Sequence, residues 1–267
     1  MCGVSLRVKQ LTNTLYLTIS PDSLLTHARA VMRDLGLRML PVVSSDNRLV
    51  GIIRREEVLI LSSTKSNAKV KDVMDVPQLV FKPNEDAIRA IKAMIELDEW
   101  YVPVVEELRN RFIGILSLDS FIKNLTTKGV VPKKTSIKEV MSTNVKYVLA
   151  NDFISKLWRK MVEHRFSGFP VVRSRKDLTV VGIITQYDLL KKGYTRIELE
   201  AEGGPRRGAR VKEAMTTPAI TLKPYDKVSK ASLIMIKKDI GRIPIVDDKG
   251  WLVGIIDRSD ICKAYLE

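Results

Sequence analysis

The chain has 267 residues, 45% of them apolar, and a formal charge of +14. That apolar content excludes a disordered chain, and no apolar run approaches the ~20 residues of a membrane-spanning helix. Two isolated cysteines, Cys2 and Cys262, exclude a disulfide framework and a cysteine metal site, so no metal is expected. No signal-peptide or lipidation pattern is visible, and a cytoplasmic location is expected. Charge is uneven: residues 1–130 hold 18 basic and 15 acidic residues, and residues 131–267 hold 27 and 16. A positive field of this kind favours an anionic partner.

Taken in chain order, the elements recur. Val8 opens a helical turn, an extended stretch follows, and Pro21 is placed in the first turn of a helix, where its missing N–H costs nothing. Leu25, Ala28 and Met32 lie on one face of that helix at i, i+3 and i+7. Two strands follow, one around Pro41 and one around Gly51, and a last helix starts near Arg55. The same landmarks return at Val70, Pro83, Met94, Pro103 and Gly114, and again at Ile137, Ala150, Met161, Pro170 and Gly182. The last set is Val211, Pro224, Met235, Pro244 and Gly254. Offsets of 62, 67 and 74 residues separate all but the glycines, which lie 10 to 12 residues past the strand proline, so one small unit is made four times.

The class is therefore mixed α/β, four β-α-β-β-α repeats over residues 1–66, 67–127, 133–197 and 208–267. A unit of ~60 residues buries only about 60% of its unfolded-chain surface, so first is expected to pair with second and third with fourth. The pairs span 1–127 and 133–267, with a polar linker at 126–136. Residues 198–210, rich in glycine and arginine, read as a flexible loop.

The pattern h-P-V-V, a polar turn, then Val181-Gly182-Ile183-Ile184-Thr185-Gln186-Tyr187-Asp188-Leu189 resembles the cystathionine-β-synthase (CBS) domain. Four copies resemble the layout of the γ subunit of AMP-activated kinase and of stand-alone archaeal four-CBS proteins. The resemblance implies two Bateman modules, each a CBS pair, forming a disc whose clefts take adenosine-containing ligands.

In such a cleft Asp188 and Asp260, each six residues past a strand glycine at the start of a helix, can accept ribose hydroxyls. Thr185 holds the hydroxyl position, and Asp257 takes that place in the fourth copy. The resemblance implies that backbone around Thr143 and Val145, and around Thr217 and Ala219, lines the adenine slot. Arg242, two residues before Pro244, matches a phosphate-binding position, and Arg38, three before Pro41, is a second candidate. Glu57 occupies the acid position of the first copy, with Arg54 in the hydroxyl position; the second copy has Ser117 and Ser120. Both hydroxyl-acid pairs of the third and fourth copies also read as helix capping boxes, a role compatible with binding. The best sites are expected in those two copies. His27 and His164 are expected on solvated helix faces, and the tryptophans in packing or interfaces.

No phosphate loop, GxGxxG, HExxH or CxxC occurs, and two distant histidines leave no triad, so a non-enzymatic protein is expected. The expected function is regulatory: AMP, ADP or ATP binds between paired repeats and shifts module packing toward or away from a regulated protein. A ligand of the S-adenosylmethionine type is an alternative within that reading. The basic C-terminal half raises nucleic acid as an alternative partner, although no nucleic-acid module or basic-aromatic interleaving is present. A scaffold with empty clefts is a third reading, and a homodimer a further expected assembly.

Overall fold

The computed structural model describes residues 6–60, 67–194 and 208–267. The first copy comprises a 3₁₀ turn at Val8–Gln10, helix α1 (Leu25–Leu35), strands β1 (Met39–Val43) and β2 (Leu49–Arg54), and helix α2 (Arg55–Ile60). The second has a turn at Val70–Asp72, α3 (Ala87–Glu96), β3 (Tyr101–Val105), β4 (Phe112–Ser117) and α4 (Leu118–Thr127). In the third are a turn at Ile137–Glu139, β5 (Val148–Leu149), α5 (Ile154–His164), β6 (Gly168–Val172), β7 (Val180–Thr185) and α6 (Gln186–Lys192). The fourth contains α7 (Val211–Ala214), α8 (Val228–Lys238), β8 (Arg242–Val246), β9 (Leu252–Asp257) and α9 (Arg258–Leu266).

The predicted apolar helix faces are the buried ones. Met32, Met94 and Met235 are fully buried and Met161 nearly so, each with the alanine or leucine one turn earlier. Each hairpin is antiparallel with one bulge at the same place, after Val42, Val104, Val171 or Ile245. His27 is exposed as expected, but His164 is half-buried, with its ring tilted against Phe166 at 5.8 Å and edge-on to Phe169 at 6.4 Å. Trp158 packs in a core and Trp251 bridges the third and fourth copies opposite Thr179. Residues 198–207 of the expected flexible loop lie outside the described residues, as does Cys2.

Two expectations about proline need correction. The helices begin four residues after Pro21, Pro83 and Pro224, so those prolines sit in the preceding turn and not in the helix. The extended stretch ahead of each proline is also shorter than expected. It is a single parallel bridge in three copies, Ile19 to Val42, Phe81 to Val104 and Leu222 to Ile245, and a two-residue strand only in the third. The cause is the missing donor. Continuing the ladder requires an N–H two residues past the bridge, where three copies carry proline. The third carries Ala150, whose N–H reaches the Val172 carbonyl at 3.3 Å.

The turn that opens each copy packs on that copy's partner. Val8 and Lys9 donate their N–H groups to Glu85 and Pro83 of the second copy, while Val70 and Lys71 donate to Ser23 and Pro21 of the first. Likewise Ile137 and Lys138 donate to Asp226 and Pro224, and Val211 and Lys212 to Asp152 and Ala150, all at 2.8–3.0 Å. Val8, Val70, Ile137 and Val211 are each 0% exposed. Burying each such side chain contributes about 1.5–3 kcal/mol, and that gain falls inside the neighbour's core. Exchange of the opening turns thus ties first to second and third to fourth.

The two pairs meet through helices. One core joins the second and fourth copies, with Ile91, Phe121, Ile243 and Ile261 in it, and α4 lies against α8 and α9. Another joins the first and third, with Leu25, Leu40, Leu157 and Phe169, and α1 and α2 lie against α6. A smaller cluster around Met39, Ile52, Val105 and Ile115 seals the N-terminal pair. The 126–136 linker is pinned by the Lys133 and Lys134 N–H groups, which share the Ala264 carbonyl of α9. Among the described residues no helix is long and apolar enough to cross a membrane.

Candidate functional site

At three of the four strand-to-helix junctions the chain makes the same local box, and in the first copy only the bond from the Arg54 N–H to Glu57 forms. The residue ending the second strand caps the helix and the residue three positions on returns the bond. In the third copy the Thr185 N–H and Oγ1 donate to Asp188 Oδ2 at 2.8 and 2.6 Å, and the Asp188 N–H donates to Thr185 Oγ1. In the fourth, the Asp257 N–H donates to Asp260 Oδ2 at 2.9 Å, and the Ser259 and Asp260 N–H groups donate to Asp257 Oδ1. The capping role read from the sequence is therefore real.

The box does not use up the acid. Asp188 Oδ1 accepts the Thr216 hydroxyl at 2.6 Å, a bond that crosses from the fourth copy's lead-in to the third copy's helix. It is set up by backbone: Ile183 and Thr216 exchange N–H and carbonyl at 3.0 and 2.9 Å, and Thr217 Oγ1 donates to the Val181 carbonyl. The approach is so close that a Cβ on Gly182 would stand 2.8 Å from Met215 Sδ and 2.9 Å from the Thr216 carbonyl. The pseudo-equivalent junction joins Ser142 to Ile255 at 2.9 and 3.0 Å, with Met141 over Gly254. Thr217 thus belongs to the Asp188 junction, while Ala219, Thr143 and Val145 lie within three residues of these crossings in the chain. Burial, then the nearby Asp257 carboxylate, pushes the Asp260 carboxyl up to about 7.

The arginine candidates lie at the middle of the molecule. Arg242 pairs in register with Asp257, and its guanidinium donates to the Gly168 carbonyl at 3.0 Å and Ser167 Oγ at 2.8 Å. A Cβ on Gly168 would meet both Arg242 Nη1 and the Thr185 methyl at 2.9 Å, so this one guanidinium borders the boxes of both C-terminal copies. Burial lowers its pKa. Arg38 donates to the Tyr101 hydroxyl at 2.6 Å and lies 3.7 Å from both Asp119 and Asp239. Arg242 and Arg38 are therefore brought to one hub, though Arg38 is held by the second and fourth copies.

Sequence reasoning missed the rest of that hub. Arg258 is 1% exposed, pairs with Asp119, and donates to Asp239 at 3.0 Å and Tyr101 at 3.1 Å. Trp100 neighbours two guanidiniums, with Arg242 and Arg258 centred 5.6 and 5.7 Å from its ring. A signal was available: Arg38, Trp100, Ser167 and Gly241 are the third residue before the strand proline in each copy, and all four meet here. Asp239, in the left-handed conformation at the end of α8 (φ 47°), brings the acid to them.

The N-terminal boxes differ. The Arg54 N–H donates to Glu57, whose carboxyl is pushed up to about 7 by burial and then by Glu56. The Arg54 guanidinium pairs with Glu99 at 2.6 Å and Asp75 at 3.5 Å. Ser117 and Ser120 bond each other and supply no carboxylate. Among the described residues no group of histidine, cysteine, aspartate or glutamate is placed to hold a metal.

Four such units, paired through sheets and docked through helices, define two Bateman modules. The CBS domain family profile matches residues 8–63, 70–127, 137–194 and 211–267, and the chain belongs to that family. Protein MJ1225 of Methanocaldococcus jannaschii is 26% identical over 275 residues, spanning 95% of this chain and 96% of its own length. Its crystal structure, described as that of a proposed archaeal homologue of γ-AMPK, aligns with a TM-score of 0.84 over 97% of this chain and 99% of that one. Protein MJ1404 of the same organism is 28% identical over 266 residues, 96% of this chain and 61% of its own length. A conserved protein from Pyrococcus horikoshii, 26% identical, aligns with a TM-score of 0.65 over 97% of this chain and 99% of that one.

Proposed function

We propose that this chain is a non-catalytic regulatory protein that binds adenine nucleotides, AMP, ADP or ATP, at its two C-terminal clefts and signals through the packing of modules 1–127 and 133–267. The observation that carries the reading is Asp188 accepting a hydroxyl at 2.6 Å from the neighbouring copy, with its other oxygen held by the helix box. A ribose hydroxyl entering there replaces the Thr216 hydroxyl on an acceptor already oriented, so ordering the acid costs little on binding. Asp260 provides the second acceptor. Thr143 and Val145 on one side, and Thr217 and Ala219 on the other, offer backbone groups to adenine. Arg242 supplies charge to the phosphate of either cleft, and Arg38 adds to it across the hub; a charge-assisted contact of this type contributes about 1.5–3 kcal/mol. The γ-AMPK description attached to MJ1225 accords with this reading.

The regulated partner follows from the coupling argument. A nucleotide shifts packing only by its differential affinity for two arrangements of the modules, and Arg242 and Arg38 sit where those modules meet. Titration calorimetry with AMP, ADP, ATP and S-adenosylmethionine tests the proposal. Saturable binding of an adenine nucleotide that Asp188→Ala weakens supports it; no heat and no thermal shift with any of the four defeats it.

A further inference from the structure

A cavity of about 840 Å³ lies along the exposed face of α8 in the fourth copy. It runs along α8 from Lys227 to Lys238, about 16 Å of helix at 1.5 Å per residue. Its floor is apolar and in part unusually exposed: Tyr225 is 79%, Leu233 43% and Ile220 38% exposed. Its rim is basic. Lys230 is paired with Asp226 at 2.7 Å, but Lys227, Lys237 and Lys238 have no ion pair among the described residues. Lys138 adds an ammonium 5.6 Å from the Tyr225 ring.

The other three copies serve as internal controls. Where the fourth has Tyr225, directly after its turn proline, the others have Asp22, Asn84 and Asn151. Two residues before the core methionine, Leu233 replaces Ala30, Lys92 and Arg159. Two residues after it, Lys237 replaces three acids, Asp34, Glu96 and Glu163. Both α8 substitutions lie on the outward face, since Met235 between them is buried and Leu233 and Lys237 are exposed. Packing of the repeat therefore demands none of these changes. Together they turn a polar, partly acidic helix face into an apolar trough with an uncompensated positive rim.

We propose that this trough is a docking surface for a partner protein, and that the occupant is an amphipathic segment whose apolar side chains are flanked by carboxylates. A trough open along a helix suits a segment laid lengthwise, as in helix-in-groove recognition. Its positive rim selects an acidic flank and rejects a basic one. The reading stands without the nucleotide proposal. The two surfaces nevertheless adjoin in the chain, because Ile220 of the trough directly follows Ala219 of the segment proposed to face adenine.

The probe is a fluorescein-labelled peptide with leucines on one helical face and glutamates elsewhere, measured by anisotropy against the full chain at low salt. The control peptide carries lysine in place of every glutamate. Saturable binding of the acidic peptide is expected, with no binding of the basic one. The variant Tyr225→Asn/Leu233→Arg/Lys237→Glu, which installs the third copy's residues, should weaken binding by about tenfold or more. If that variant melts early, Lys237→Glu alone should weaken binding by about threefold and steepen no other property. Equal affinity for wild type and variants, equal affinity for the two peptides, or no saturable binding overturns the proposal. So does retention on phosphatidylglycerol vesicles in the absence of peptide binding, which would make the trough a membrane contact.

Discussion

The N-terminal and C-terminal pairs share a backbone plan but use one local device in different ways. Three copies cap their last helix with a reciprocal box, and the first keeps only the bond from the Arg54 N–H to Glu57. In the C-terminal pair the box leaves an acid with an oxygen facing the neighbouring copy, as Asp188 does toward Thr216. In the N-terminal pair the acid is absent at Ser120, and beside Glu57 the Arg54 side chain turns to Glu99 and Asp75. The difference teaches that a fold can keep its cap, which every helix start needs, while varying the one oxygen left over for a ligand.

The comparison breaks or sharpens under four measurements. The largest expected effect tests what the two pairs share, the close strand crossing. Gly114→Ala puts a Cβ 2.3 Å from the Asn13 carbonyl, which is backbone, whereas in Gly254→Ala the nearest atom is the movable Met141 Sδ at 2.7 Å. Denaturant unfolding should show about 3 kcal/mol or more lost for Gly114→Ala and about 1 kcal/mol for Gly254→Ala; equal losses refute the distinction. Second, Asp188→Ala and Asp260→Ala should each weaken calorimetric nucleotide binding at their own cleft by about ten- to hundredfold. Glu57→Ala and Ser120→Ala should leave both clefts unchanged, and a loss of equal size there erases the asymmetry.

Third, the two pairs should respond alike to pH. Glu57 and Asp260 titrate near 7 when folded, above the ordinary carboxyl range, so from about pH 4.5 to 7 the folded chain holds protons that the unfolded chain has released. Stability from these groups is complete below that window and declines as pH rises through it. The thermal midpoint at pH 5.5 should exceed that at pH 8 by about 2–4 °C per kcal/mol, and Glu57→Gln should flatten part of the slope. A midpoint that climbs steadily from pH 5.5 to 8 contradicts it. Smallest, Arg54→Thr should cost about 1 kcal/mol, as expected for a partly screened pair, with no change in ligand affinity.

Much of this was legible in the chain. The four helix starts at Arg55, Leu118, Gln186 and Arg258 are where the strand pattern ends, and the methionine column is core in every copy. Asp188 and Asp260 are legible as ligand candidates through the resemblance carried by Val181–Leu189, because the residues alone read equally as helix caps. The proline reading failed because a missing N–H suits a first helical turn and a strand terminus equally well. Only the partner across the ladder separates the two, and Ala150 is the control that does so. The hub was hidden for another reason. Arg38 and Trp100 share the third position before the strand proline, but Tyr101, Asp119, Asp239 and Arg258 share no repeat position, and no local pattern records that they join the hub.

The exchanged opening turns bear on how the chain can be cut. Excising residues 67–127 as a fragment would strip the first copy of Val70 and leave the second without Val8, so both pieces would expose a hole at their helix bases. The shortest length that carries every plug with its socket is a pair. Protease trimming or recombinant truncation should accordingly yield halves, never quarters.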